Sequence, residues 1–527
     1  MAIRRDILFL GMLFASSCVF AQEAPTDTLR NAAVKLGLLN LNNNWLQSTN
    51  AAGMQWSDVF AIGKTGLSYN NQQGQFKLAQ QPESQQQIKF MSERYQPIGK
   101  AQFFGSFAYT EQTDKNVRLS DVLDPYRGTP YLLADSIGGD WRKQLYTLKL
   151  KAASPKLMND RLVLGLGLNL DVATGARQND PRPLSTANEI RITPGLTWKQ
   201  GAHSVLGVNL LYNRYREEIS MEVRNTNISH YLYKFLGVGQ YELPGIFSVG
   251  SSRVYNGNKY GTNLQYEFRS DQISWLTTIG YDTYEEEVSD GNTVPRKAGT
   301  WKQKVYNISS KFNLNTGSLF QQLSFTGQLT EDTGIEFHEY YNTSTKAWQT
   351  ILEAPFYASE SIRAELLYTL FRKSKGNVYK WLAEVGVQYE SYDKDYSVPA
   401  SLDRADRAGL NVKAGRNFLI DKNTTLQASL ALTYSKLLDD ALSFIPITGD
   451  RNMVAREVLY PDHAYLTADQ LMGTANLQYN FRLTKVKNTQ FFIGSVFNVL
   501  HSIGADSAYS GASGNRRFLN FSLGAFY

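Results

Sequence analysis

Three groupings of side chains in this 527-residue chain have the types and spacing to do chemistry. Glu285, Glu286 and Glu287, with Asp282 and Asp290 close by, concentrate carboxylates of the kind that collect a hard divalent cation, although a solvated acidic loop has the same composition. His338, Tyr340 and Tyr341 set an imidazole and aromatic faces beside Glu339, which suits stacking on a sugar or approach to an iron chelate; strands reaching beyond a membrane carry aromatics too. His501, Ser502 and Asp506, on one expected loop, are the residue types of a hydrolase, but a catalytic set is defined by geometry, not by closeness in sequence. The five histidines, at 203, 230, 338, 463 and 501, include no pair at metal-ligand spacing, so no metal is assigned. Gly165-Leu166-Gly167 is followed by no helix that could offer N–H groups to a phosphate. No catalytic residue and no cofactor is assigned, and the chain is read as a non-enzyme.

Composition limits what could position such residues. Apolar residues make up 42% and mean hydropathy is −0.35, with no run long enough for a membrane helix. Thirty-one Tyr, 27 Phe and 40 Gly against 15 Pro point instead to many half-buried strands. The net charge of +6 is spread along the chain, without the basic stripe of a nucleic-acid binder. The single cysteine, Cys18, lies in the N-terminal segment, which excludes a disulfide framework and a thiolate nucleophile from the mature chain. Residues 1–21 have the basic start, apolar centre and small-residue end of a secretory signal peptide.

From about residue 61 the chain alternates with period two. Leu162, Leu164, Leu166, Leu168, Leu170 and Val172 share one face, while Gly165, Gly167, Asn169 and Asp171 share the other. Similar runs cover 189–199, 206–213, 259–269, 379–389 and 426–434. Such runs persist for about 9 to 13 residues, the length a tilted strand needs to cross a bilayer and longer than the usual soluble strand of about 5 to 6. Trp198, Tyr212, Tyr266, Tyr379, Trp381 and Tyr389 bracket apolar centres as a lipid-facing girdle. Short polar links, such as 200–202, 270–272 and 373–376, alternate with long ones at about 112–142, 174–188, 218–257, 286–299, 332–360, 392–406, 437–471 and 499–514. This predicts an all-β fold: a single transmembrane antiparallel β-barrel of about 18 strands (range about 16–20) with short periplasmic turns and long extracellular loops. In the region 61–94, Gly63 to Tyr69 and Gln75 to Gln80 form either two strands or one interrupted strand. Inward positions mix Lys149, Lys151, Arg191 and Lys259 with Asp171, Glu189 and Glu267, so no ion filter stands out. Residues 22–60 form an N-terminal segment that is either periplasmic or lumen-plugging, and 61–527 form the barrel.

The final run, Leu519, Phe521, Leu523, Ala525 and Tyr527, resembles the C-terminal signal by which outer-membrane barrels are handed to their assembly machinery. The resemblance implies an integral protein of the Gram-negative outer membrane, in contact with its lipid. Over most of its length the chain is similar to an uncharacterised family of large outer-membrane barrels associated with TonB-dependent uptake receptors. Asn50-Ala51-Ala52-Gly53-Met54 resembles the Asn-Pro-Ala-Gly-Met hatch element of long-chain fatty-acid transporters, with Ala51 in place of the proline. These likenesses imply solute uptake through a porin-like or ligand-specific channel. The 22–60 segment is too short for the plug of a TonB-dependent receptor, so the chain is not expected to be one itself. The alternative is a sealed barrel acting as accessory scaffold, with a TonB-dependent receptor or a surface lipoprotein as its partner. An outer-membrane hydrolase ranks third.

Overall fold

The computed structural model describes residues 32–57, 59–247, 250–291, 293–374, 378–421, 423–447, 452–486, 488–504 and 509–527. The expected export signal, residues 1–21, and Asp506 lie outside them. Eighteen antiparallel strands, from Ile62–Gly74 to Asn515–Phe526, form one sheet in which each strand pairs with its chain neighbour in that sheet. The last strand pairs back on the first, with Phe526 opposite Lys64 and Leu523 opposite Leu67. Closure leaves no sheet edge with unpaired backbone groups. Among the described residues no helix is long and apolar enough to cross a membrane.

The alternation decides which side of each strand faces out. In strand Leu162–Arg177 the side chains of Leu164, Leu166 and Val172 are exposed on the outer surface, while Gly167 meets Thr193 inside. Across three adjacent strands Leu264, Ile279 and Ile308 stand directly opposite one another on the outside. The cross-strand pairs Tyr212–Tyr260 and Tyr281–Tyr306, with ring centroids 5.4 and 5.0 Å apart, bound this apolar row on one side. The row Phe268–Trp275–Phe312 bounds it on the other. From Tyr260 to Phe268, eight steps of about 3.4 Å at a tilt near 40° project to roughly 21 Å, close to the height of a bilayer's apolar band. Leu264 keeps 61% of its surface exposed and Leu430 67%, a belt that water would not tolerate at this size.

Two expectations about the connections change. Gln75 to Gln80 is not a strand: it lies in the connection after Ile62–Gly74, and the second strand is Ser84–Ile98. The long loop expected at about 332–360 is largely a hairpin, in which Leu319–Asn342 and Ala347–Ser374 join through four residues. Beyond a membrane both faces of a strand meet water, so polar residues on both sides keep the ladder and erase the alternation. With 24 and 28 residues, these two strands run well past the apolar belt.

Among the described residues the interior holds two large apolar cores that share no residue, and a smaller third cluster where Val34 and Leu38 meet Phe320, Phe371 and Leu382. One lies at the short-turn mouth and is built from residues 32–56 against the wall. The other lies at the long-loop mouth, where a three-stranded sheet of Leu133–Asp135, His230–Gly237 and Gln240–Phe247 packs inside the barrel with residues of the long connections.

Candidate functional site

The candidate site is the occluded lumen. At the short-turn mouth the helix Ala32–Asn42 and two 3-10 turns, Asn44–Gln47 and Ala51–Trp56, pack into the barrel. Trp45 is fully buried, and its indole N–H donates to Glu267 Oε2 at 2.7 Å. The Trp56 indole donates to Thr197 Oγ1 at 2.7 Å. Asn50, also fully buried, directs its amide N–H groups at the carbonyls of Leu196 (3.0 Å) and Val208 (3.2 Å) and at Gln265 Oε1 (3.0 Å). Its own Oδ1 accepts the Ala52 N–H at 3.1 Å and starts the second turn. Lys151 donates to the Ser48 carbonyl at 2.8 Å.

The wall is shaped to receive this segment. Gly165 and Gly195 sit where a Cβ would come within 2.1 Å of Ala52 N and 2.4 Å of Asn50 Oδ1. Their missing side chains form the floor on which Asn50-Ala51-Ala52-Gly53-Met54 rests. Gly53 in turn lets the chain pass across the Trp45 ring, at 2.2 Å from a would-be Cβ. The element that resembles the fatty-acid-transporter hatch thus lies inside the lumen.

At the long-loop mouth the closure is held by buried ion pairs. Arg127 meets Glu286 in a two-pronged contact of 2.5 and 2.8 Å, with its guanidinium 4.6 Å from the Tyr255 ring. Arg177, fully buried, pairs with Asp121 at 2.9 Å and also with Asp135. Arg253 pairs with Asp290 at 2.7 Å and donates to the Tyr131 and Leu132 carbonyls. The Arg127 and Arg177 pairs each tie a long connection to a wall strand, whereas Arg253 and Asp290 pair between two wall strands and Arg253 reaches the connection through its bonds to Tyr131 and Leu132; buried charges of this kind are costly to separate. The helix Tyr460–Thr467 adds His463, whose Nδ1 lies 2.8 Å from Asp403 and Nε2 3.2 Å from Asp440. Burial opposes charging of this imidazole, but its hydrogen bonds to Asp403 and Asp440 outweigh that and raise its pKa. Burial pushes the neighbouring Asp462 carboxyl up to about 7.

The residues singled out in the sequence are placed differently. Glu285, Glu286 and Glu287 are not a loop cluster: they lie in strand Ile273–Asp290, where period two sends Glu286 inward to Arg127 and leaves the other two exposed on the outer side. They cannot share one cation, and among the described residues no group of three acidic, His or Cys ligands stands together. His338, Tyr340 and Tyr341 are also in a strand, exposed on the projecting hairpin. The His338 ring lies against Phe356 at 6.1 Å and Tyr341 against Trp348 at 5.4 Å. His501 is exposed, whereas Ser502 is buried on the opposite face and exchanges hydrogen bonds with Gly514, so the two do not meet. Trp198 and Tyr266 are exposed on the outer surface, and Tyr212, Trp381 and Tyr389 follow the outward side of their strands. Tyr379 is a correction: a bulge at Lys380 breaks the alternation, and its ring packs 6.1 Å from Phe371 in the cluster that holds Val34 and Leu38 of the N-terminal helix. Phe521 and Leu523 are exposed outward beside Leu519, and Tyr527 sits at the seam, its hydroxyl 3.1 Å from Thr65 Oγ1. Sequence reasoning passed over Trp45, Trp56, Arg127 and Arg177. The available signal was the largely apolar run of residues 32–41 followed by two tryptophans, Trp45 and Trp56.

No curated protein is significantly similar in sequence. The RagAB peptide transporter superposes with a TM-score of 0.42 at 7% identity, over 89% of this chain and 87% of that one. BauA, the ferric preacinetobactin receptor of Acinetobacter baumannii, gives 0.40 at 9% identity over 88% and 80%. The FrpB iron transporter from Neisseria meningitidis gives 0.38 at 9% over 91% and 83%. At these scores the likeness says nothing of cargo. The family model that matches spans residues 51–527, from the hatch-like turn through the last strand, and the chain belongs to that family of unknown function, DUF6850.

Proposed function

We propose that the protein is an integral outer-membrane barrel that takes part in solute uptake as a ligand-specific channel, closed at rest by its own N-terminal segment and long connections. One observation carries the reading: a wall of 18 strands, wide enough for an aqueous lumen, is filled at both mouths by the chain's own residues through buried hydrogen bonds and ion pairs. An open porin needs neither closure. The exposed apolar belt supports residence in a membrane.

Planar-bilayer conductance tests it. The full chain should give no steady open current, because the two closures lie in series. A folded variant lacking residues 32–57 and carrying Arg177→Met should give discrete steps. Steady current from the full chain would make it an open porin, and silence from the folded double variant would sink the uptake reading.

The sealed scaffold is the second reading, and the projecting hairpin favours it. That hairpin exposes Ile351 (71%) and Leu352 (47%) beyond the belt, where a TonB-dependent receptor or surface lipoprotein would dock. Co-purification of such a partner, lost on Ile351→Asp, supports the scaffold.

A further inference from the structure

A cavity of about 230 Å³ lies inside the wall on the long-loop side, beside the 120–126 segment of the closure at that mouth. Part of its wall comes from two inward rows that cross neighbouring strands, and the rest from residues 80–82 and 120–126 of two connections. One row runs Asn70, Gln87, Gln112, Lys143, and the other Gln72, Gln85, Asp114, Trp141. Period two puts both rows inside, and the side chains form one network. Gln87 donates to Gln112 at 2.7 Å, while Gln85, Gln112 and Lys143 each reach Asp114 at 2.9 Å. The Asp114 carboxylate is thereby saturated and its charge balanced by Lys143, so it is not free to bind a metal.

Two buried donors at the cavity remain unused. Trp141 is 1% exposed, yet its indole N–H has no acceptor. Arg516 donates from its two terminal nitrogens to the carbonyls of Gly74 and Pro82, but its Nε–H has no partner. Gln72, which also lines the cavity, is held in the sheet by its backbone, but its side chain makes no hydrogen bond among the described residues. A buried donor left unpaired is expensive, and an acceptor entering the cavity would relieve that cost. Exposed Asp124 and Tyr126 form the rim, so the cavity is reachable from outside while Gln112, Asp114 and Trp141 at its floor are buried.

We infer that this cavity binds a neutral saccharide, one sugar ring at a time. Three features select that class. Side-chain amides both donate and accept, as vicinal hydroxyls do. The Tyr126 ring, exposed at the rim, offers a face for the C–H side of a pyranose. The volume is below the roughly 300 Å³ at which sites for drug-sized ligands begin, and holds on the order of eight waters. The inference rests on the uptake reading for its purpose, since it names the cargo, but binding is measured without transport.

Isothermal titration calorimetry of the full chain in detergent would use D-glucose, D-galactose and N-acetyl-D-glucosamine, with D-glucuronate and inorganic phosphate as anionic probes. At least one neutral sugar should bind. Trp141→Phe should weaken it about tenfold, the worth of one hydrogen bond, while Gln72→Ala, whose side chain holds nothing else, should weaken it with an unchanged melting temperature. The inference fails if none of the neutral sugars binds, if only the anions bind, or if neither variant changes affinity. Sugar binding by a chain whose opened variant conducts nothing would keep the site and remove uptake. Conductance without binding would do the reverse.

Discussion

Asn50 carries more of the short-turn closure than any neighbour of similar size. Its amide serves two wall carbonyls and Gln265, and its carbonyl oxygen starts a turn. Asn50→Ala leaves those groups buried without a partner and should cost about 1–3 kcal/mol. The expected readout is faster hydrogen exchange across residues 44–56 with the barrel strands unchanged. At the other mouth, Asp462 and His463 both have raised pKa values. A raised folded-state pKa means that the docked helix binds more protons than the free one, so both contributions favour docking at low pH. The Asp462 contribution is lost between about pH 4 and 7, and the His463 contribution as pH rises above about 6.5. The groups facing them are Asp403, Asp440, Lys77 and Lys394. Proteolysis within 452–468 should therefore be slower at pH 5.5 than at pH 8, and the opposite order would refute the linkage.

Among the elements, strand Leu162–Arg177 shows both faces in adjacent residues. Leu166 is half exposed on the belt and Gly167 faces Thr193 inside. Leu166→Arg should cost about 2–4 kcal/mol if the residue lies near the bilayer midplane, read as a lower urea midpoint in lipid vesicles. An equal loss for Gly167→Ser would contradict the two-faced assignment. The bulge at Lys380 is the local exception. It spends one residue of register to turn Tyr379 from the girdle onto the N-terminal helix.

For the whole molecule, the two closures are separate clusters within one wall, so disturbing them should be nearly independent. Arg177→Met leaves Asp121 and Asp135 buried without their cation and should cost about 3–5 kcal/mol. Combined with Asn50→Ala, the losses in unfolding free energy should add to within about 0.3–0.5 kcal/mol. A larger coupling in denaturant titrations would mean that the closures communicate through the wall.

By itself the sequence determined the barrel, its strand number near 18, the outward belt and the positions of most turns. Lipid on one side and polar interior on the other impose period two on every membrane-spanning run, and that period is local. The Leu162–Val172 alternation needed no partner to be read. Two details escaped even at this level, the second strand's true position and the Tyr379 bulge, because polar strand ends and a single inserted residue leave no periodic trace. Only the tertiary structure decided what fills the lumen. Trp45 and Glu267 are 222 residues apart in the chain, and Arg127 and Glu286 are 159 apart. No spacing rule connects such pairs, since their closeness follows from where eighteen strands close around residues that must then bury their polar groups against one another. The same reason split Glu285, Glu286 and Glu287: adjacent letters in the sequence point to opposite sides of a wall.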